Sequence, residues 1–143
     1  MRVLVLHGPN LNLLGEREPE VYGTQTLAEL DGAIAAGAKE LGIEVRCEQH
    51  NTEGAIVTAL HAARTDFGGV VINPGAYAHY SYAIADAIAA IGIPVVEVHL
   101  SNIAAREPFR RRSVTAAACR GVVSGLGFTG YLLALRALVE MVA

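Results

Sequence analysis

Tyr22 and Arg17 stand five residues apart in one glycine-containing stretch, and His99 is followed by Leu100, Ser101 and Asn102. These types can move protons. A free phenol titrates near about 10 and is a poor base at neutral pH. A guanidinium about 4 Å away, at an effective dielectric near 20, favours the phenolate by roughly 4 kcal/mol, less the cost of desolvating it. Tyr22 alone reads equally well as a packed loop anchor, and Arg17 on the same loop is what makes it a candidate base. Such a base suits removal of a proton beside a ketone. The enolate then needs donors aimed at its oxygen, a task for Asn10 or Asn12, directly or through an ordered water. His99 is placed to protonate a departing hydroxyl. Together these roles describe carbonyl-activated loss of water.

The elements that must position these residues alternate short β-branched runs with longer Ala/Leu-rich ones. Val3 to Leu6, Ile43 to Cys47, Val70 to Ile72, Pro94 to Val98 and Gly121 to Val123 read as strands. Thr26 to Leu41, Glu53 to Arg64, Ser81 to Ile91 and Thr129 to Val142 read as helices; the first has a Thr cap, Glu29 three residues on, and a stop at Gly42. Near-continuous apolar strands with intervening helices argue a parallel sheet covered on both faces. Right-handed crossovers then leave few topologies, and the expected one is an α/β, flavodoxin-like three-layer sandwich with strand order 2-1-3-4-5.

In such a sheet, ligands bind beyond the carboxyl ends of the strands. There the sequence puts Asn10, Arg17 and Tyr22 after strand one, Asn73 and His79 after strand three, and His99, Ser101, Arg106 and Arg110 to Arg112 after strand four. A histidine ending a strand is often only structural; the polar residues after His99 at this edge favour function. His79 is read as a ligand contact rather than a partner of the helix beginning near Ser81. The arginine run is by default a solvated face, with one member expected to touch a ligand. Two irregular stretches, His7–Thr24 and Leu100–Ala118, are long enough to be functional. Gly8, Gly15 and Gly23 suit hinges of an active-site lid within about residues 12–24.

The chain has 143 residues, 52% hydrophobic against 17% charged, which bounds it to one domain with a real core. No run reaches the roughly 18 apolar residues of a membrane span, so the apolar excess is assigned to a doubly covered sheet and to surface buried between subunits. A net charge of −3 gives no reason to expect nucleic acid. Cys47 and Cys119 lie far apart without a CxxC, so two buried free thiols are expected, with neither disulfide nor metal site nor any cofactor. The apolar run that ends at His7 is too short for a signal peptide, which points to the cytoplasm.

Five blocks in order make the chain resemble the type II 3-dehydroquinate dehydratases. They are the stretch from His7-Gly8-Pro9-Asn10-Leu11-Asn12 to Tyr22-Gly23, Asn73 to Tyr77 with His79, Glu97 to Asn102, Arg106 to Arg111, and Gly125 to Tyr131. The resemblance implies that Tyr22 takes a proton from C2 of 3-dehydroquinate, with Arg17 favouring its phenolate and stabilising the transition state. Asn10 would hold a water on the enolate, and His99, oriented by Glu97, would protonate the leaving C1 hydroxyl. The overall result would be an anti elimination. It further implies substrate contacts from Asn73, His79, Leu100, Ser101 and Arg110, with Asp86 reaching a neighbouring subunit's site in a homododecamer built as a tetramer of trimers. The chain departs from the family at His7, where Asn is commoner, and at Ala78, Tyr80, Ala104 and Arg112; these positions bear on loop packing and affinity.

The same product can be reached through a lysine imine, but the single lysine, Lys39, falls inside a helix far from any ligand edge. A flavodoxin-like phosphate- or cofactor-binding module, with Gly8 to Gly15 cradling phosphate, is the alternative. It lacks GxGxxG and Walker spacing, and no tryptophan is present to stack on a flavin. A receiver-type signalling domain would want acidic residues where His7 and Asn10 stand.

Overall fold

Strand β1 (Arg2–His7) forms because four successive apolar residues can be buried on both sides only at the centre of a covered sheet. The computed structural model describes residues 1–142 and places β1 between β2 (Glu44–Gln49) and β3 (Gly69–Asn73). Strands β4 (Val95–His99) and β5 (Gly121–Ser124) complete a wholly parallel sheet of order β2-β1-β3-β4-β5, as expected. The three inner strands are buried almost throughout, whereas the edge strands β2 and β5 are half-exposed. This edge exposure explains one difference from the sequence reading. Strand β2 runs on to Gln49, because the ladder to β1 continues through two polar residues that an edge strand tolerates.

A one-turn helix, α1 (Pro19–Tyr22), precedes α2 (Leu27–Leu41), α3 (Glu53–Asp66), α4 (Tyr82–Ala90) and α5 (Gly127–Val142). The caps are local chemistry. The hydroxyls of Thr26, Thr52 and Ser81 accept from the backbone N–H of Glu29, Ala55 and Ile84, and Gly42 ends α2 at a φ of 70°. Helices α2 and α5 press Leu30, Ile34, Tyr131 and Leu135 onto one face of the sheet. Helices α3 and α4 press Ile56, Leu60, Ile84 and Ile88 onto the other. Among the described residues no helix is long and apolar enough to cross a membrane.

Gly8 ties the two central strands together at their carboxyl ends. Its N–H donates to the Asn73 carbonyl at 2.8 Å, and a Cβ on residue 8 would lie 2.7 Å from that carbonyl and from the Pro74 backbone. Backbone cannot step aside as a side chain can. Gly8→Ala is therefore expected to destabilise the fold by about 1–3 kcal/mol, read as a lower urea midpoint at unchanged slope.

Candidate active site

The carboxyl ends of β1, β3 and β4 open onto one cleft. Its walls include Asn10, Arg17 and Tyr22 from the first loop, Asn73 and His79 from the second, and His99, Leu100, Ser101 and Arg110 from the third. Nine of the eleven residues singled out in the sequence thus meet in one place. Glu97 lies directly behind His99, and Asp86 does not reach the cleft of its own chain: it is exposed on α4. Of the two asparagines left open, Asn10 lines the cleft and Asn12 is exposed outside it.

The first loop is more structured than expected. Leu11–Leu13 make a 3-10 turn, and Leu11 and Leu14 are buried in the core, which pins the loop's first half. Asn10 and Glu18 adopt left-handed backbone, at φ values of 68° and 40°. Gly15 and Gly23 have φ values of 91° and 83° and bracket the segment that carries Arg17 and Tyr22. Pro19 at the first position of α1 supplies the fixed φ that starts so short a helix.

Two guanidiniums face Tyr22. Arg17 sits over the ring, its guanidinium carbon 4.9 Å from the centroid, and is paired with Glu18 at 3.2 Å. The cation at the hydroxyl is Arg106, whose Nη1 donates to the phenol oxygen at 3.3 Å and to Ser101 Oγ at 3.2 Å. The hydrogen bond to Tyr22 is the main reason that Arg106 is held above even its ordinary value. Sequence reasoning placed Arg106 in the right loop but paired Tyr22 with its loop neighbour. No local signal brings together residues 84 positions apart.

His99 is almost wholly buried. Its Nε2–H donates to Glu97 Oε2 at 2.7 Å, residues i and i+2 of β4 standing on one face of the strand. His79 donates through Nδ1 to the Arg112 carbonyl at 2.8 Å, and its ring lies nearly parallel to that of His99, centroids 6.5 Å apart. Glu97 is completely buried and also accepts from the hydroxyls of Ser113 (2.6 Å) and Thr115. Burial alone would raise its carboxyl, but the hydrogen bonds from His99, Ser113 and Thr115 outweigh burial and hold it below the ordinary 4.5. Ser113 and Thr115 were not anticipated. A carboxylate inside an apolar strand signals that partners exist, but not which residues supply them.

That depressed carboxyl links stability to pH. Ionised Glu97 contributes stability that is complete above the unfolded value and lost as pH falls through the lower folded one. Between those two values, wild type is expected to lose thermal stability more steeply with acid than Glu97→Gln, as calorimetry across a pH series can read.

Lys39 is exposed near the end of α2 and does not line the cleft. Gly8 offers no free phosphate cradle, since its N–H is spent on Asn73. Cys47 and Cys119 are free thiols, but each is only partly buried, because they lie on or beside the half-exposed edge strands. Away from the cleft, His7, Asp31 and Cys47 bring three ligand-type atoms within 4.8 Å of one another, the one such group among the described residues.

The profile of the class II dehydroquinases matches residues 1–139, nearly the whole chain. The chain belongs to that family. Among curated relatives, the 3-dehydroquinate dehydratase of Pelotomaculum thermopropionicum is 58% identical over 137 residues, covering 96% of this chain and 95% of that protein. That of Desulforudis audaxviator is 56% identical over 143 residues, covering 100% and 95%. The crystal structure of the type II dehydroquinase from Butyrivibrio crossotus superposes with a TM-score of 0.95 at 47% identity, covering 96% of this chain and 97% of that one. Membership in this family fits a small-molecule cleft lined by proton-transfer groups.

Proposed function

We propose that the protein is a cytoplasmic hydro-lyase that converts 3-dehydroquinate to 3-dehydroshikimate by anti elimination through an enolate, with neither imine nor metal. The observation that carries the reading is the pairing, across one cleft, of a phenol held between two guanidiniums with a histidine backed by a buried carboxylate. Tyr22, as phenolate, takes the C2 proton, and the electron pair moves into the C3 carbonyl. Asn10 holds a water against the enolate oxygen. The enolate then collapses to a C1–C2 double bond, and the C1 hydroxyl leaves as water with a proton from His99. Glu97 compensates the positive charge that His99 carries before it gives up that proton, and Nδ1 is the ring nitrogen free to deliver it. Arg17 and Arg106 compensate the charge on Tyr22. Asn73, His79, Leu100, Ser101 and Arg110 hold the substrate, and the segment between Gly15 and Gly23 closes over it. The reaction serves the shikimate route to aromatic amino acids or the breakdown of quinate.

Asp86 shares the exposed face of α4 with Tyr82, four residues before it and 67% exposed. An exposed tyrosine beside an exposed carboxylate supports contact with a second subunit, where Asp86 would complete the neighbour's site in a homododecamer, a tetramer of trimers. Sedimentation at micromolar concentration reads this directly.

The deciding experiment follows the absorbance of the conjugated enone when the pure protein meets 3-dehydroquinate. Absorbance should rise to equilibrium, and a flat trace would remove the proposed activity. Borohydride added with substrate should leave the rate intact, because Lys39 is remote; a reduced adduct on Lys39 would replace the enolate mechanism with an imine one.

A further inference from the structure

Residues 49–51, at the end of β2, line no part of the cleft, yet they hold two of the loops that do. The main-chain ladder between β1 and β2 ends where the His50 N–H donates to the His7 carbonyl at 3.0 Å. Beyond that rung, side chains take over. Gln49 Nε2 donates to the Gly8 carbonyl at 3.1 Å and to Asn51 Oδ1 at 2.9 Å, and Asn51 Oδ1 also accepts the Asn10 N–H at 3.1 Å. From the other side, the Tyr77 hydroxyl donates to the Asn51 carbonyl at 2.8 Å and ties this corner to the loop after β3.

The polarity of both amides is fixed from two independent ends. A carbonyl only accepts, so Gln49 must turn its NH2 toward Gly8. A backbone N–H only donates, so Asn51 must turn its oxygen toward Asn10. The bond between Gln49 and Asn51 then joins donor to acceptor, and neither amide can flip without setting like against like. What the pair holds is Asn10 in left-handed backbone, at φ 68° and ψ −4°. Asparagine tolerates that conformation better than most residues but does not prefer it. The φ at residue 10 sets where its side chain points relative to β1. Its carbonyl is engaged by the Leu13 N–H at 3.0 Å, and among the described residues its N–H has no acceptor other than Asn51. The Asn10 side chain makes no capping bond to the turn it begins, so its amide is left for the cleft.

We infer that Asn51, its amide oriented by Gln49, is a positioning residue for the reaction: it fixes the left-handed Asn10 and so aims the Asn10 amide at the water on the enolate oxygen. The role of that water rests on the function proposed above. Support for an oxyanion is felt in the transition state rather than in the bound substrate, so its loss falls on kcat and spares KM. The clamp also gives two polar side chains at an edge strand a task that the sheet itself does not require.

Two nearly isosteric substitutions, each adding a negative charge at adjoining positions of the full-length protein, separate this role from packing and from long-range charge. In Asn51→Asp the carboxylate still accepts from Asn10 and Gln49, so kcat for 3-dehydroquinate should stay within about threefold of wild type, a small loss beside that of a misplaced group. In Gln49→Glu a carboxylate faces the Gly8 carbonyl and Asn51 Oδ1 with no proton among them, and Asn51 must turn its NH2 inward and release Asn10. There kcat should fall about ten- to hundredfold with KM within about twofold, the range for a catalytic group misplaced by about 1 Å. Asn51→Ala should match it. The melting transition of each variant should stay close to wild type, because Asn51 is exposed and Gln49 half-buried. Hydrogen exchange at the Asn10 amide, followed by NMR without substrate, should quicken in Gln49→Glu and Asn51→Ala but not in Asn51→Asp. Equal losses of kcat in Asn51→Asp and Gln49→Glu, a loss carried by KM, or an Asn10 amide that exchanges no faster in Asn51→Ala would each overturn the inference. Because the exchange is read on substrate-free protein, a wild type that does not turn over 3-dehydroquinate would remove the proposed function and still leave the clamp on Asn10 judged on its own.

Discussion

Tyr22→Phe should lower kcat for dehydration of 3-dehydroquinate by about 10²- to 10⁴-fold while changing KM little, the range expected when a positioned general base is removed. The phenylalanine ring keeps the face on which Arg17 rests, so the loop retains its packing. Only the oxygen is lost, and with it both the proton acceptor and the partner of Arg106. Arg106 keeps its bonds to Ser101 and Glu107, which limits its displacement and isolates the chemical effect. Steady-state rates decide the matter: a variant with normal turnover would remove Tyr22 as the base. The two guanidiniums separate in the same assay. Arg106→Ala should cost more in kcat than Arg17→Ala, because charge acts most strongly on the phenolate from the cation that touches its oxygen.

The inner strands were legible because β1, β3 and β4 are short, mainly apolar runs, interrupted in β4 only by Glu97, and closed by His7-Gly8-Pro9, Asn73-Pro74-Gly75 and His99-Leu100-Ser101. Pro9, Asn73, Gly75, His99, Leu100 and Ser101 from these closures line the cleft, so reading where the strands stop was already reading where much of the candidate site lies. The pattern failed where it had nothing to grip. The last residues of β2 are polar because it is an edge, and α1 is a single four-residue turn, too short for any pattern to repeat, set instead by Pro19 and a left-handed Glu18. Distance along the chain found only one of the two cations at Tyr22, since Arg17 does sit over its ring. Arg17 was the natural partner for Tyr22 because it is close in sequence, yet the hydroxyl is met by Arg106 from the loop after β4. The Ser113 and Thr115 hydroxyls on Glu97 were hidden for the same reason.

His99→Ala should also lower kcat by about 10²- to 10⁴-fold, but at the other end of the reaction. Hydroxide is too poor a leaving group to depart unprotonated, so without the imidazole the enolate forms and has nowhere to go but back. Exchange of the C2 hydrogen with deuterated solvent, followed by NMR of recovered substrate, should therefore persist in His99→Ala and vanish in Tyr22→Phe. Glu97→Gln should fall between wild type and His99→Ala. The amide can still accept from His99 Nε2–H and keep the ring oriented, but it no longer offsets the charge of the imidazolium. Loss of C2 exchange in His99→Ala would mean that this ring takes part in forming the enolate, and the division of labour between phenol and imidazole would then have to be redrawn. His79 is the control: its ring lies nearly parallel to His99, but its Nδ1 is spent on the Arg112 carbonyl and no carboxylate among the described residues pairs with it. Removing it should weaken binding and leave the exchange-to-turnover ratio unchanged, which separates a histidine that holds the substrate from one that delivers a proton.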